Sequence, residues 1–234
     1  MNTFRMSFLA VGACVTLAAT AAPALALGTT AAKIPILKSK STAGYISEKH
    51  GIKTVSADFE VPKIIGCTAS ENAGMGPVVI IVGSGYFVGA GAEAECQAGV
   101  LSYQVAINHN GSETHPLTVA ATNEISVAIT IRAKSVLVKI EDLTTKQATS
   151  QSLPKGKVTA AEFGDDSLTQ NNKQVPIPKF TKHQFTAVRI NGKVLKDATP
   201  LLDEELVRGK TILIKAGGIS KAGNAFVMDF EHAT

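Results

Sequence analysis

Hydrophobic and polar positions alternate with a period of two along most of this chain. Val55, Ala57, Phe59 and Val61 face one way, and Ser56, Asp58 and Glu60 face the other. Leu101, Tyr103, Val105 and Ile107 interleave with Ser102, Gln104 and Ala106, and Ile125, Val127, Ile129 and Ile131 interleave with small or polar residues. The segments VLVKI (136–140) and FVMDF (226–230) carry the same rhythm. Such spacing buries one face of an antiparallel sheet and wets the other. Asn191-Gly192, set between two such runs, predicts a two-residue hairpin, because both positions tolerate positive φ. Pro62, Pro116, Pro154, Pro176 and Pro178 punctuate strand ends. The single helix-like stretch is PLLDEELVRG, Pro200 to Gly209. The polar run Thr169–Pro178 reads as a loop within the domain, because strand patterns resume after it. No internal repeat is present. Many short strands with regular turn signals predict one all-β domain, a sandwich or barrel.

The N-terminus breaks this rhythm. Arg5 precedes an apolar run from Phe8 to about Ala22, followed by Ala24-Leu25-Ala26. This pattern predicts a secretory signal peptide over 1–26, too short for a membrane span. An arm (27–40) and one domain (41–234) would remain, exported to the periplasm or beyond the cell. Outside the leader the cysteines are Cys67 and Cys96, and an even pair in an exported chain reads as one disulfide. The formal net charge is +4, with lysines and acids interspersed. No basic stripe with interleaved aromatics exists, which argues against a nucleic-acid partner. No second long apolar run predicts a membrane span in the mature chain.

The segment VTAAEFGDD (158–166) places Glu162 within a strand-like stretch. Glu162 lies either on the wet face of a sheet or in a groove where it does chemistry. Read in order, several segments resemble the glutamic peptidases, the eqolisins. STAGY (41–45) is similar to their N-W-A-G-Y, and TVSADFEVPKIIGC (54–67) to their V-S-A-x-W-x-V-P followed by cysteine. GAEAEC (91–96) resembles G-T-x-x-D-C, and EDLTTKQ (141–147) resembles D-T-T-T-G-Q. AAEF (160–163) resembles A-E-W, PIPKFTKHQFT (176–186) resembles P-L-A-N-F-G-T-V-T-F-T, and GNAFVMDF (223–230) resembles the closing strand. The resemblance implies an antiparallel two-sheet β-sandwich with a concave groove that receives polypeptide. It also supports the Cys67–Cys96 bridge.

Peptide hydrolysis without a metal or covalent nucleophile needs an activated water and a donor to the developing oxyanion. The resemblance assigns these tasks to a glutamate and glutamine pair, with Glu162 as candidate general base. Counting back from Cys96, the glutamine position falls on Gly89, which has no side chain. Losing one such donor costs about 10²–10³ in rate. The W-x-E of the groove floor becomes Ala106-Ile107-Asn108, the A-E-W aromatic is Phe163, and the chain contains no tryptophan. The expectation is a decayed relative that retains a polypeptide-binding groove, with an acid endopeptidase using an unrecognised partner as the alternative. Gln104, Gln97, Glu93, Glu95 and Asp166 are the partner candidates, each read first as solvated or as a turn residue. Of the histidines, His109 and His115 flank Glu113 in NHNGSETHP, read as a solvated hairpin loop rather than a metal site. The glycine-rich GSGYFVGAGAEAE (83–95) lacks a phosphate-loop pattern and reads as a mobile or bulged connection. Neither a metal nor another cofactor is expected.

Overall fold

A computed structural model of the chain describes residues 5–6, 34–170 and 173–232. The predicted leader lies outside these residues except for Arg5–Met6, as does the first part of the arm. The alternating segments form strands β1 (Arg5–Met6), β2 (Ile36–Ser39), β3 (Thr42–Ser47), β4 (Thr54–Glu60), β5 (Asn72–Gly83) and β6 (Tyr86–Gln97). They continue through β7 (Val100–His109), β8 (Ser112–Thr118), β9 (Glu124–Ile131), β10 (Ser135–Asp142), β11 (Ala148–Pro154) and β12 (Ala160–Gln170). The last are β13 (Lys173–Gln174), β14 (His183–Ile190), β15 (Lys193–Val194), β16 (Leu201–Arg208), β17 (Thr211–Ala216) and β18 (Phe226–Phe230). A 3-10 turn at Leu195–Asp197 is the only helical element among the described residues.

The long strands join in one antiparallel ladder, ordered β8-β7-β6-β5-β12-β3-β16-β17-β18-β14-β4-β9-β10-β11. β2 adds a short parallel pairing to β16. The sheet curls until its edges meet: Thr114 Oγ1 on β8 donates to Gln151 Oε1 on β11 at 3.2 Å. The all-β expectation therefore holds, as one large and nearly closed antiparallel sheet. Closure leaves few strand edges exposed to pair with another chain.

The inside of the curl is the core. Phe59, Ile125, Val127, Val138 and Phe185 from one side pack in a single cluster with Met75, Val79, Ile81, Val88 and Ala92 from the other. Phe185 stacks on Phe226 with ring centroids 4.9 Å apart and meets Phe59 at 5.4 Å. Cys67 and Cys96 are bonded, fastening the loop before β5 to the end of β6. The Asn191-Gly192 hairpin forms as expected, with φ of 54° and 77°.

Two expectations are corrected. PLLDEELVRG is no helix: Leu201–Arg208 forms β16, hydrogen-bonded to β3 on one side and β17 on the other. Pairing on both edges overrides the helix propensity of Leu and Glu, which is a weak prior. The glycine-rich 83–95 stretch is no mobile connection either. Its bulk is the buried central strand β6, where small residues let neighbouring strands approach closely. Gly44 of β3 and Gly164 of β12 show the same closeness. A Cβ on Gly44, whose φ is +147°, would lie 2.1 Å from the Phe163 carbonyl oxygen.

Candidate active site

Side chains of β12 alternate between the two faces of the sheet. Ala161 and Phe163 join the core, and Asp165, equally buried, bonds His183 Nε2 at 2.8 Å. Glu162, Gly164, Asp166 and Leu168 take the other, outer face. The register sets three parallel rows there. Glu162 stands opposite Ile46 on one side and Ile80 on the other, and the row continues through Gly89, Asn108 and Glu113. The next row runs Glu204, Gly44, Gly164, Val78, Gly91, Ala106. The third holds Thr42, Asp166 and Gly76. Val78, Ile80, Ala106 and Leu168 form a small apolar cluster beside these acids, joined by Val175 from the segment after β13.

Glycine at 44 and 164 opens a lane across which the Glu204 side chain reaches Glu162. The Glu162 and Glu204 carboxyls are hydrogen-bonded to one another, and burial raises both. Glu204 Oε2 also accepts from Thr42 Oγ1 at 2.5 Å, and Ser39 adds a further bond to the same carboxylate. Burial, and then the Glu204 charge, hold the Glu162 carboxyl well above the usual carboxylate range. Asp166 is raised likewise, by burial first and then by Glu162 and Glu204. The Ser167 backbone amide, which donates to Asp166, pulls it partly back. Desolvation dominates at Glu204 too and raises it, though the three donors pull it back. The arrangement is a buried Glu162–Glu204 pair with Asp166 crowded beside it, so a proton is held between like groups. The cluster can donate a proton; Glu162, while it keeps that proton, cannot accept one from water.

The profile of the Peptidase A4 family matches residues 40–201. The chain belongs to that family. Solved structures agree on the fold. Scytalidoglutamic peptidase, crystallised with a peptide-based transition-state analogue, superposes with a TM-score of 0.68 at 19% identity, covering 82% of this chain and 98% of that one. SCP-B, an eqolisin solved with the tripeptide Ala-Ile-His, gives 0.65 at 18%, covering 82% and 98%. Aspergilloglutamic peptidase from Aspergillus niger gives 0.58 at 18%, covering 68% and 99%. No curated protein sequence matches the chain significantly.

In this A4-family chain the residues singled out from the sequence separate into three groups. Glu162, Gly89 and Asn108 share one cross-strand row, and Ala106 lies in the next. Phe163 does not join them, since it packs in the core. Gln104, Glu93 and Asp166 are not simply solvated. Asp166 sits with Glu162, whereas Gln104 Nε2 donates to Glu93 Oε2 at 2.9 Å further along the face. Glu93 and Glu95 are buried, and burial pushes the Glu95 carboxyl up to about 7. His115 also departs from the loop reading. It belongs to β8, and its Nε2 lies 3.1 Å from Glu93 Oε2 and 3.2 Å from Glu113 Oε1. Glu204 was missed altogether. It lies beyond the family match and inside a segment that reads as a helix, so neither motif nor periodicity marked it.

Proposed function

We propose that this protein is an exported polypeptide-binding module on the glutamic-peptidase fold, in which peptide-bond hydrolysis has decayed. One observation carries the reading: the Glu162 carboxyl is hydrogen-bonded to Glu204, which lies on the side of β12 away from Gly89. The resemblance calls for a carboxamide at Gly89, and that residue has no side chain. Between the two stands Ile80, which is apolar. A general base must be free to take a proton from water; in this reading burial and the Glu204 contact keep Glu162 protonated, and Gly89 offers no carboxamide to position the water. The outer face keeps what binding requires. In this reading the apolar cluster of Val78, Ile80 and Ala106 beside Glu162 is the floor along which an extended chain would lie. In this reading the curled sheet works as two layers, β5–β7 with β12 presenting the groove and β4, β9 and β10 backing it. The disulfide supports export, since such bonds persist in oxidising compartments. Mass spectrometry of secreted protein should find a mature N-terminus near Leu27; a retained Met1 would refute the export part.

The Glu162–Glu204 bond also favours a second reading, because two carboxyls sharing a proton are a known acid–base device. Digestion of casein or denatured globin between pH 2 and 5 separates the two. The binding module shows no turnover above Glu162→Gln, yet binds carboxymethylated globin saturably. Turnover lost in both Glu162→Gln and Glu204→Gln would establish the acid-pair peptidase instead.

A further inference from the structure

We propose that Glu93, Glu113 and His115 form a binding site for a zinc-class divalent cation on the outer face, separate from the Glu162 cluster. Their ligating atoms all lie within 4.8 Å of one another. Two donors each about 2.0–2.2 Å from a tetrahedral ion stand roughly 3.3–3.6 Å apart. The distances of 3.1 and 3.2 Å from His115 Nε2 to the two carboxylates are close to that edge length. The site is built by register. Glu93 on β6 stands opposite Gln104 on β7, and Glu113 on β8 stands opposite Asn108 on β7. His115 follows Glu113 by two residues and shares its face.

Hydrogen bonding inside the cluster does not account for the arrangement by itself. His115 Nε2 carries at most one hydrogen, yet two carboxylate oxygens approach that nitrogen. Glu93 is 0% exposed, and its Oε1 has no hydrogen-bond partner. A carboxylate so buried is costly unless something positive meets it. A cation held by one oxygen of each glutamate and by a neutral imidazole supplies that positive charge. The surroundings match those of a metal site, in which outer residues orient the ligands. Gln104 Nε2 donates to Glu93 Oε2 at 2.9 Å, and Asn108 Nδ2 donates to Glu113 Oε2 at 3.0 Å. Asn108 is itself fixed by the Gly111 amide, which donates to its Oδ1 at 2.9 Å. One nitrogen and two carboxylate oxygens suit zinc, or cobalt as its spectroscopic substitute, better than calcium or magnesium, which favour all-oxygen sets. Three protein ligands leave a coordination position for water.

The purified full chain, freed of metal by chelation, tests this with zinc chloride by calorimetry and with cobalt chloride by visible absorption. The expected result is one equivalent bound, tetrahedral cobalt bands and a rise in Tm on zinc addition. Loss of affinity by tenfold or more should follow in His115→Ala and in Glu93→Gln, and by about 10–100-fold in Gln104→Leu. Circular dichroism of each variant checks its fold, and the wild-type cobalt spectrum stands regardless of how the variants fold. Absence of stoichiometric binding up to about 1 mM zinc would overturn the site and leave His115 as a cation clamped by two carboxylates. Binding retained at full strength in His115→Ala would overturn it equally.

Discussion

Replacing Glu162 with glutamine should stabilise this protein at neutral pH and leave it unchanged in acid. Glu162 is buried beside Glu204 and Asp166, and all three carboxyls are raised. The native state therefore keeps a proton that the unfolded chain has released. Below the unfolded carboxyl range near ~4.3 both states hold it, and the group contributes its full stability. As pH rises towards the native value the unfolded state gives up its proton first, and stability falls. Holding one proton at pH 7 on a group that would otherwise titrate near ~4.3 costs about 3.7 kcal/mol at most. The glutamine amide can still donate to Glu204, as the protonated acid does, without drawing a proton from solution. The expected gain for Glu162→Gln at pH 7 is thus positive and bounded by that ceiling, with roughly 2–4 °C in Tm for each kcal/mol in a domain of this size. At pH 3.5 it shrinks to near zero. Urea unfolding followed by far-UV circular dichroism reads this directly, and the lack of tryptophan rules out the usual fluorescence probe. A difference that stays constant from pH 3.5 to 7.5 would refute the reasoning. So would a variant less stable at pH 7, since Glu162 would then be a native carboxylate held by unrecognised donors.

Three other substitutions probe the frame around the site. Asp142→Ala should cost about 2–4 kcal/mol in urea unfolding, because its buried carboxylate accepts from the amides of Thr144 and Thr145 at 2.9 and 3.0 Å and from Asn123 Nδ2 at 2.6 Å. Replacing Cys67 and Cys96 together with serine opens a loop with a sequence separation of 29, which the chain-entropy account prices at about 3–4 kcal/mol; a Tm unchanged from the oxidised wild type would contradict it. Gly44→Ala should abolish soluble expression or lower Tm by more than 10 °C, roughly 3 kcal/mol or more, since the added carbon meets backbone at 2.1 Å. A well-folded alanine variant would show that the β3–β12 approach is looser than described.

The sequence and the structure part company for identifiable physical reasons. Strands with one apolar and one polar face were legible because burial of one face imposes period two on residues such as Val55–Val61 and Ile125–Ile131. The Asn191-Gly192 turn was legible because its backbone demands those residues. β6 was not, since a strand buried on both faces and packed closely needs small side chains, and Gly89, Gly91, Ala92 and Ala94 carry no alternation to read. β16 was misread because Asp203, Glu204 and Glu205 favour helix locally, whereas pairing with β3 and β17 is a long-range fact. The site suffered most from that error. The arrangement there depends on a contact between residues 162 and 204, across the close approach of β3 and β12 at Gly44 and Gly164. Glu162 and the Gly89 position could be named only through the resemblance to the eqolisins, from AAEF and by counting back from Cys96. The group that holds the Glu162 proton could not be found, because register places it there and no local motif does. This matters for reading other members of the family from sequence. Whether the remaining glutamate is a base, an acid or a structural hydrogen bond is decided by what the neighbouring strand places across from it. In this chain that neighbour is the acid Glu204, which bonds the Glu162 carboxyl and helps to hold it above the usual carboxylate range.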